Sequence, residues 1–178
     1  MDRKTRQFNQ FLGHEVGDEE KVNEYLKESL PLVGEVVMYF NSLERTLSQF
    51  VCEILSDRTD SVGLTVLKGM QYRAKLDLFL RFEGDLHRDF GRAPESYNGL
   101  KSELEELGSL RNTVVHADFE NTDEMGYTFV HVKHSKSGMS QEYVQFSVSS
   151  LIKVVNRIIE ARNRLCKYWD GRNGLLHL

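Results

Sequence analysis

The sequence predicts a mainly α fold, an antiparallel four-helix bundle with a β-hairpin inserted before the last helix and an accessory helix at the N-terminus. Three observations carry this. Apolar residues recur at alternating steps of three and four along four long stretches, the period of a helix with one buried face. Between the third and fourth stretches, two short runs mix β-branched and aromatic residues around a turn. The 178 residues contain only 2 prolines and no low-complexity tract or repeat, which leaves little chain for linkers. A length typical of one domain and 40% hydrophobic content suffice for a core.

Residues 1–30 form an accessory segment. Phe8, Phe11 and Leu12 make a short apolar patch, Gly13 to Gly17 interrupts it, and Asp18 is placed to cap a helix carrying Val22, Tyr25, Leu26 and Leu30. The bundle spans 31–170. Its first helix runs from Pro31 to Ser56 on Val33, Val37, Phe40, Leu47, Val51 and Ile54, with Glu44 out of character on that stripe. A second runs from about Ser61 to Phe82, and Gly84 to Pro94 reads as a loop. The third follows Pro94 and carries Leu100, Leu104, Leu107 and Val114, so that Arg111 falls on the same stripe. Tyr127 to Lys133 and Glu142 to Val148 pair as a hairpin across Ser135 to Gly138. Ser149 caps the final helix, which buries Leu151, Val155, Ile158, Leu165 and Trp169, and residues 171–178 form a short tail.

No stretch approaches the roughly eighteen apolar residues of a membrane span, and Met1 to Gln10 is charged and lacks a signal-peptide core, so a cytoplasmic protein without a membrane partner is expected. Cys52 and Cys166 each sit in an apolar helical run, without metal-ligand or disulfide spacing. The net charge of −4 argues against indiscriminate coating of nucleic acid, which depends on Lys and Arg displacing counterions. The glycine-rich phosphate loops and the serine-hydrolase elbow are absent from the sequence, and His116, Asp118 and His131 lack metal-site spacing, so no cofactor and no metal are expected.

Glu44 and Arg111 each interrupt an apolar stripe, and a charge there needs a partner or a wet cavity. Pairing with each other as a buried ion pair that fixes register is one reading. The other starts from the company of Arg111: Asn112 and His116, four apart, share a helical face, and the Arg111 side chain is long enough to reach the same point. A guanidinium fork fits phosphate oxygens, an amide both donates and accepts, and imidazole exchanges protons near neutral pH. Phosphodiester cleavage uses these three functions.

The run Arg111-Asn112-Thr113-Val114-Val115-His116 on the third long helix resembles the Arg-x(4 to 6)-His motif of HEPN domains, and Phe40-Asn41-Ser42-Leu43-Glu44 resembles the first helix of that family. The resemblance covers roughly Pro31 to Trp169. It implies a metal-independent endoribonuclease, a toxin or antiviral-defence effector, working as a homodimer whose two motifs meet over RNA. In it Arg111 stabilises charge on the phosphorane, His116 acts as acid or base, Asn112 orients it, Glu44 holds Arg111, and the 2′-hydroxyl attacks to leave a cyclic phosphate. An antitoxin or regulatory partner accompanies many members. Position 118 is Asp where some HEPN toxins carry a modifiable Tyr, which puts that mode of regulation in doubt. A second match, Arg172-Asn173-Gly174-Leu175-Leu176-His177, is set aside because Gly171 and Gly174 argue against a helix there. The alternative from a different class is a catalytically silent, HEPN-like dimeric module that binds a protein or nucleotide.

Overall fold

The computed structural model describes residues 1–8, 11–12, 17–136 and 138–176, with side chains to Gly174. The chain is mainly helical with a small four-stranded antiparallel sheet. Its elements are β1 (Arg3–Gln7), α1 (Glu19–Leu55), α2 (Ser61–Leu67), α3 (Tyr72–Asp89), α4 (Leu100–Val115), β2 (Asp118–Thr122), β3 (Tyr127–Ser135), β4 (Gly138–Gln145) and α5 (Val148–Leu176). A single 3-10 turn, Glu95–Tyr97, precedes α4. No helix of the described residues is long and apolar enough to cross a membrane.

The chain divides into two compact units, Met1–Val37 with Leu110–Val155 and Met38–Ser109 with Asn156–Leu178. The first holds the sheet, in the order β1-β4-β3-β2. The expected hairpin is present as β3 and β4, with Phe129 opposite Tyr143 and His131 opposite Glu142. It is flanked by two strands the sequence reading did not anticipate, β1 on β4 and β2 on β3. Five polar or charged residues in a row made β1 look like solvated chain. Its pairing comes instead from side chains that reach across the sheet: Arg3 to Glu142 at 2.7 Å, and Lys4 to Asp123 and over the Tyr127 ring. The β2–β3 turn is built by Asp123, whose Oδ1 accepts from the Met125 and Tyr127 amides at 3.1 and 2.9 Å. Gly126 closes it at φ 77°, with the Tyr25 ring so near that a Cβ would lie 2.2 Å from it.

The second unit buries Phe40, Leu43 and Leu47 of α1, Leu76 and Phe79 of α3, Leu100, Leu104 and Leu107 of α4, and Ile158, Leu165 and Tyr168 of α5. Cross-helix bonds tie these together. Tyr72 donates to the Leu104 carbonyl at 3.0 Å, Arg157 makes a two-pronged contact with Glu106, and Arg162 reaches Thr46.

Several boundaries differ from the sequence expectation. There is no separate accessory helix: Asp18 caps as expected, its Oδ1 accepting from the Lys21 amide at 3.1 Å, but the helix it starts runs unbroken through Pro31 to Leu55. Pro31 removes only the donor to the carbonyl four residues back, and both Lys27 and Pro31 lie on the exposed side, where water replaces it. The expected Ser61-to-Phe82 helix is split at Gly69, whose φ of 78° no helix accommodates, and α3 then runs on through Gly84 to Asp89. Ser147, not Ser149, caps α5 by accepting from the Ser150 amide at 3.3 Å. The same helix continues through Gly171 and Gly174 to Leu176, because Tyr168 and Arg172 are anchored on α3 and tertiary contact outweighs glycine's poor helix propensity. The ground for setting aside the second Arg-Asn copy therefore fails. His177 lies outside the described residues, as do Gly13 to Val16 of the expected N-terminal break. Cys52 is buried, while Cys166 is half-buried.

Candidate functional site

Helix α4 is held by Leu100, Leu104, Leu107 and Val114, each at most 1% exposed. That stripe fixes the rotation of the helix about its axis. Arg111, on the same stripe, is half-buried, and Asn112 and His116 turn outward and are exposed. The Arg111 Nη1 donates to Asn112 Oδ1 at 3.1 Å. The His116 amide donates to the Asn112 carbonyl at 3.0 Å, so the helical spacing that aligns Asn112 with His116 persists to the end of the motif. A guanidinium and a carboxamide are thus bonded at the C-terminal end of α4, with an exposed imidazole four residues after the carboxamide. Ala117 alone separates His116 from β2. Asp118 is occupied locally, accepting from the Glu120 amide and the Asn121 side chain. Among the described residues no group of three or more His, Cys, Asp or Glu side chains is placed to hold a metal ion.

Glu44 falls in the other unit, and its carboxylate accepts from Lys75 Nζ at 2.7 Å, with the two side chains 24% and 17% exposed. Lys75 was legible in principle. It lies three residues after Tyr72 and four before Phe79, on the face α3 buries, and so interrupts a third stripe with a charge opposite to that of Glu44. Burial, and secondarily the Glu44 charge, hold the Tyr72 hydroxyl well above the usual phenol range.

Continuing that stripe by four leads to Glu83, which the sequence reading missed by ending the helix at Phe82. Glu83 is fully buried and forms the centre of a polar cluster. Arg172 Nε donates to its Oε1 at 2.8 Å, and the buried Tyr168 hydroxyl donates to its Oε2. Tyr168 Oη also lies 2.8 Å from His87 Nε2. The tyrosine proton is committed to the carboxylate, so His87 must carry its own proton on Nε2 and donate. Burial, then the hydrogen bond to Glu83, push the Tyr168 hydroxyl far above the phenol range, and burial lowers the His87 imidazole. Arg172 further lies 4.4 Å from the Trp169 ring centre, and Trp169 stacks on Phe50 at 4.3 Å.

No family model, no curated protein and no solved structure matches the chain.

Proposed function

We propose that the chain is a metal-independent endoribonuclease of HEPN type, its helices packed as an antiparallel bundle, with Arg111, Asn112 and His116 as the reacting groups. The observation that carries the reading is the C-terminal turn of α4, where Arg111 bonds Asn112 at 3.1 Å beside an exposed His116 on the Asn112 face. In this reading Arg111 stabilises charge on the non-bridging phosphate oxygens, Asn112 orients His116, and His116 transfers a proton as the 2′-hydroxyl attacks and the 5′-oxygen leaves. One imidazole per motif covers one of the two proton transfers, and a two-fold pair of chains supplies the other. A role as toxin or antiviral effector, with an antitoxin or other regulator, belongs to the same proposal.

The deciding experiment incubates the protein and its His116→Ala variant with total RNA in EDTA and examines fragment ends. Cleavage by the parent to 2′,3′-cyclic phosphates, reduced at least ~100-fold in the variant with unchanged melting, supports the reading. Equal fragmentation by both, or none by either, refutes it. A second reading, a silent dimeric module binding a protein or nucleotide, is favoured by one observation: the Glu44 carboxylate is engaged by Lys75.

A further inference from the structure

An RNA substrate demands cations, and a chain of net charge −4 must concentrate them. In the sheet it does. Strands β1, β3 and β4 carry Arg3, Lys4, Arg6 and Lys133 against one carboxylate, Glu142. Register separates their faces: Arg3, Thr5 and Gln7 lie on the same side as Glu142, Ser140, His131 and Lys133, whereas Lys4 and Arg6 share the other side with Tyr143. On the first side Glu142 is buried, and two cations and an imidazole converge on it from two strands, Arg3 at 2.7 Å, Lys133 at 2.8 Å and His131 at 3.1 Å. Their side chains remain 51%, 52% and 48% exposed. Burial would raise the Glu142 carboxyl, but hydrogen bonds and charge from Lys133 and Arg3 more than offset it, so it stays ionised and keeps the cations in place. The cluster remains net positive, with its outer surfaces in solvent.

We propose that this sheet face, Arg3, His131 and Lys133 arranged around Glu142, is the surface that holds the phosphate backbone of a single-stranded RNA leading to the α4 motif. The inference rests on the nuclease reading for its substrate. Two observations favour RNA over an acidic protein segment. The positions between the cations are Thr5, Gln7 and Ser140, hydroxyls and an amide suited to phosphate oxygens and 2′-hydroxyls, and the apolar residue on this side, Val144, is fully buried, so it offers no exposed apolar centre to a protein partner. Topology also brings strand β3 to the motif: Asp118, two residues after His116, pairs with Phe129, and His131 follows two residues on, across a bulge that turns it to the Glu142 side. Both features belong to the same unit.

The test measures binding of a short labelled single-stranded RNA to the full chain by fluorescence anisotropy, in the His116→Ala background so that the RNA survives. Adding Arg3→Gln with Lys133→Gln, which keeps hydrogen bonds to Glu142, should weaken binding by roughly tenfold and flatten the salt dependence by about one unit of log–log slope. Arg3→Lys with Lys133→Arg should restore it, and a melting transition shows that each variant is folded. Should the double variant fail to fold, Lys133→Gln alone carries the test. Unchanged RNA affinity or unchanged salt slope overturns the proposal, as does a parent that binds poly-glutamate and ignores RNA. RNA cleavage by the parent that persists in Arg3→Gln/Lys133→Gln sinks this inference alone. Cation-dependent RNA binding without cleavage by any chain sinks the nuclease reading alone.

Discussion

Replacing Arg172 by Met tests the most heavily buried charge pair in the molecule. The change keeps an unbranched side chain of similar reach but removes the guanidinium that donates to Glu83 at 2.8 Å. The Glu83 side chain has no exposure and that of Arg172 has 10%, so water cannot substitute. Breaking such a pair from one side costs about 3–5 kcal/mol, chiefly the penalty of a stranded charge. Tyr168 still donates to the carboxylate, which places the expectation near the lower end, about 3 kcal/mol. For a chain of this length that is a fall of roughly 6–12 °C in Tm. The assay is built in, because Trp169 is the only tryptophan and stacks on Phe50 within the same unit. Urea titrations followed by its fluorescence report the midpoint, and midpoints rather than amplitudes are compared because Arg172 itself lies over the indole. Glu83→Leu combined with Arg172→Met removes both charges and should recover most of the loss, leaving the double variant within about 1 kcal/mol of the parent. A cost below about 1 kcal/mol for Arg172→Met, or a double variant no better than the single, would refute the claim that Glu83 is a buried anion dependent on Arg172.

Gly126→Ala should destabilise by about 2–4 kcal/mol, combining a φ of 77° with a Cβ 2.2 Å from the Tyr25 ring; thermal melts of Gly126→Ala with and without Tyr25→Ala check it, and the second change should relieve part of the cost. His87 is expected to make the fold sensitive to mild acid. Its folded-state affinity for protons is lowered, so its contribution is complete above the unfolded value near 6.5 and is lost as pH falls through the lower folded value; His87→Gln should flatten the stability profile in that window, and an unchanged profile would count against the assignment. The carboxyls of Asp123 and Glu142 are also lowered, but from reference values of 3.8 and 4.5, so their losses begin at lower pH than that of His87. Lys75→Met should cost no more than about 1 kcal/mol in chemical denaturation, because Glu44, 24% exposed, regains water when its partner leaves.

The helical content and the hairpin were legible because both rest on periodicity, and the stripes read for the third and last helices, Leu100, Leu104, Leu107 and Val114 and Leu151, Val155, Ile158, Leu165 and Trp169, are buried. Boundaries were not, wherever a long-range contact overrode a local signal. Pro31 and Gly84 are breakers by propensity, yet each lies inside a helix. Gly69, with the same chemistry, does break one. What separates them is the chain on either side: α1 buries Ser29 before Pro31 and Val36 after it, and beyond Gly84 the half-buried His87 still bonds Tyr168, whereas Gly69 follows Leu67, the last buried residue of α2, at a φ of 78°. Strand β1 was invisible for the complementary reason. Its partners, Glu142 and Asp123, lie more than a hundred residues away, and no local pattern encodes a basic pentapeptide's destination. At the α4 motif, by contrast, position 111 was readable from a stripe and positions 112 and 116 from a shared face, since one helix defines all three.

The two Arg-Asn copies show why a motif is not by itself a site. Both arginines lie on helices, and both bond the adjacent asparagine, Arg111 at 3.1 Å and Arg172 at 3.3 Å. Arg172 also gives its Nε to a fully buried carboxylate and lies over an indole, so its charge is already neutralised. A phosphate approaching it would have to displace Glu83 from the core, leaving a buried anion beside an incoming one. At Arg111, itself half-buried, the next motif groups along the helix end are an exposed amide and an exposed imidazole. Spacing cannot distinguish the two copies, and glycine content distinguishes them for the wrong reason. The engagement of Arg172 follows from Glu83 continuing the buried face of α3 one turn beyond where sequence propensity would end it.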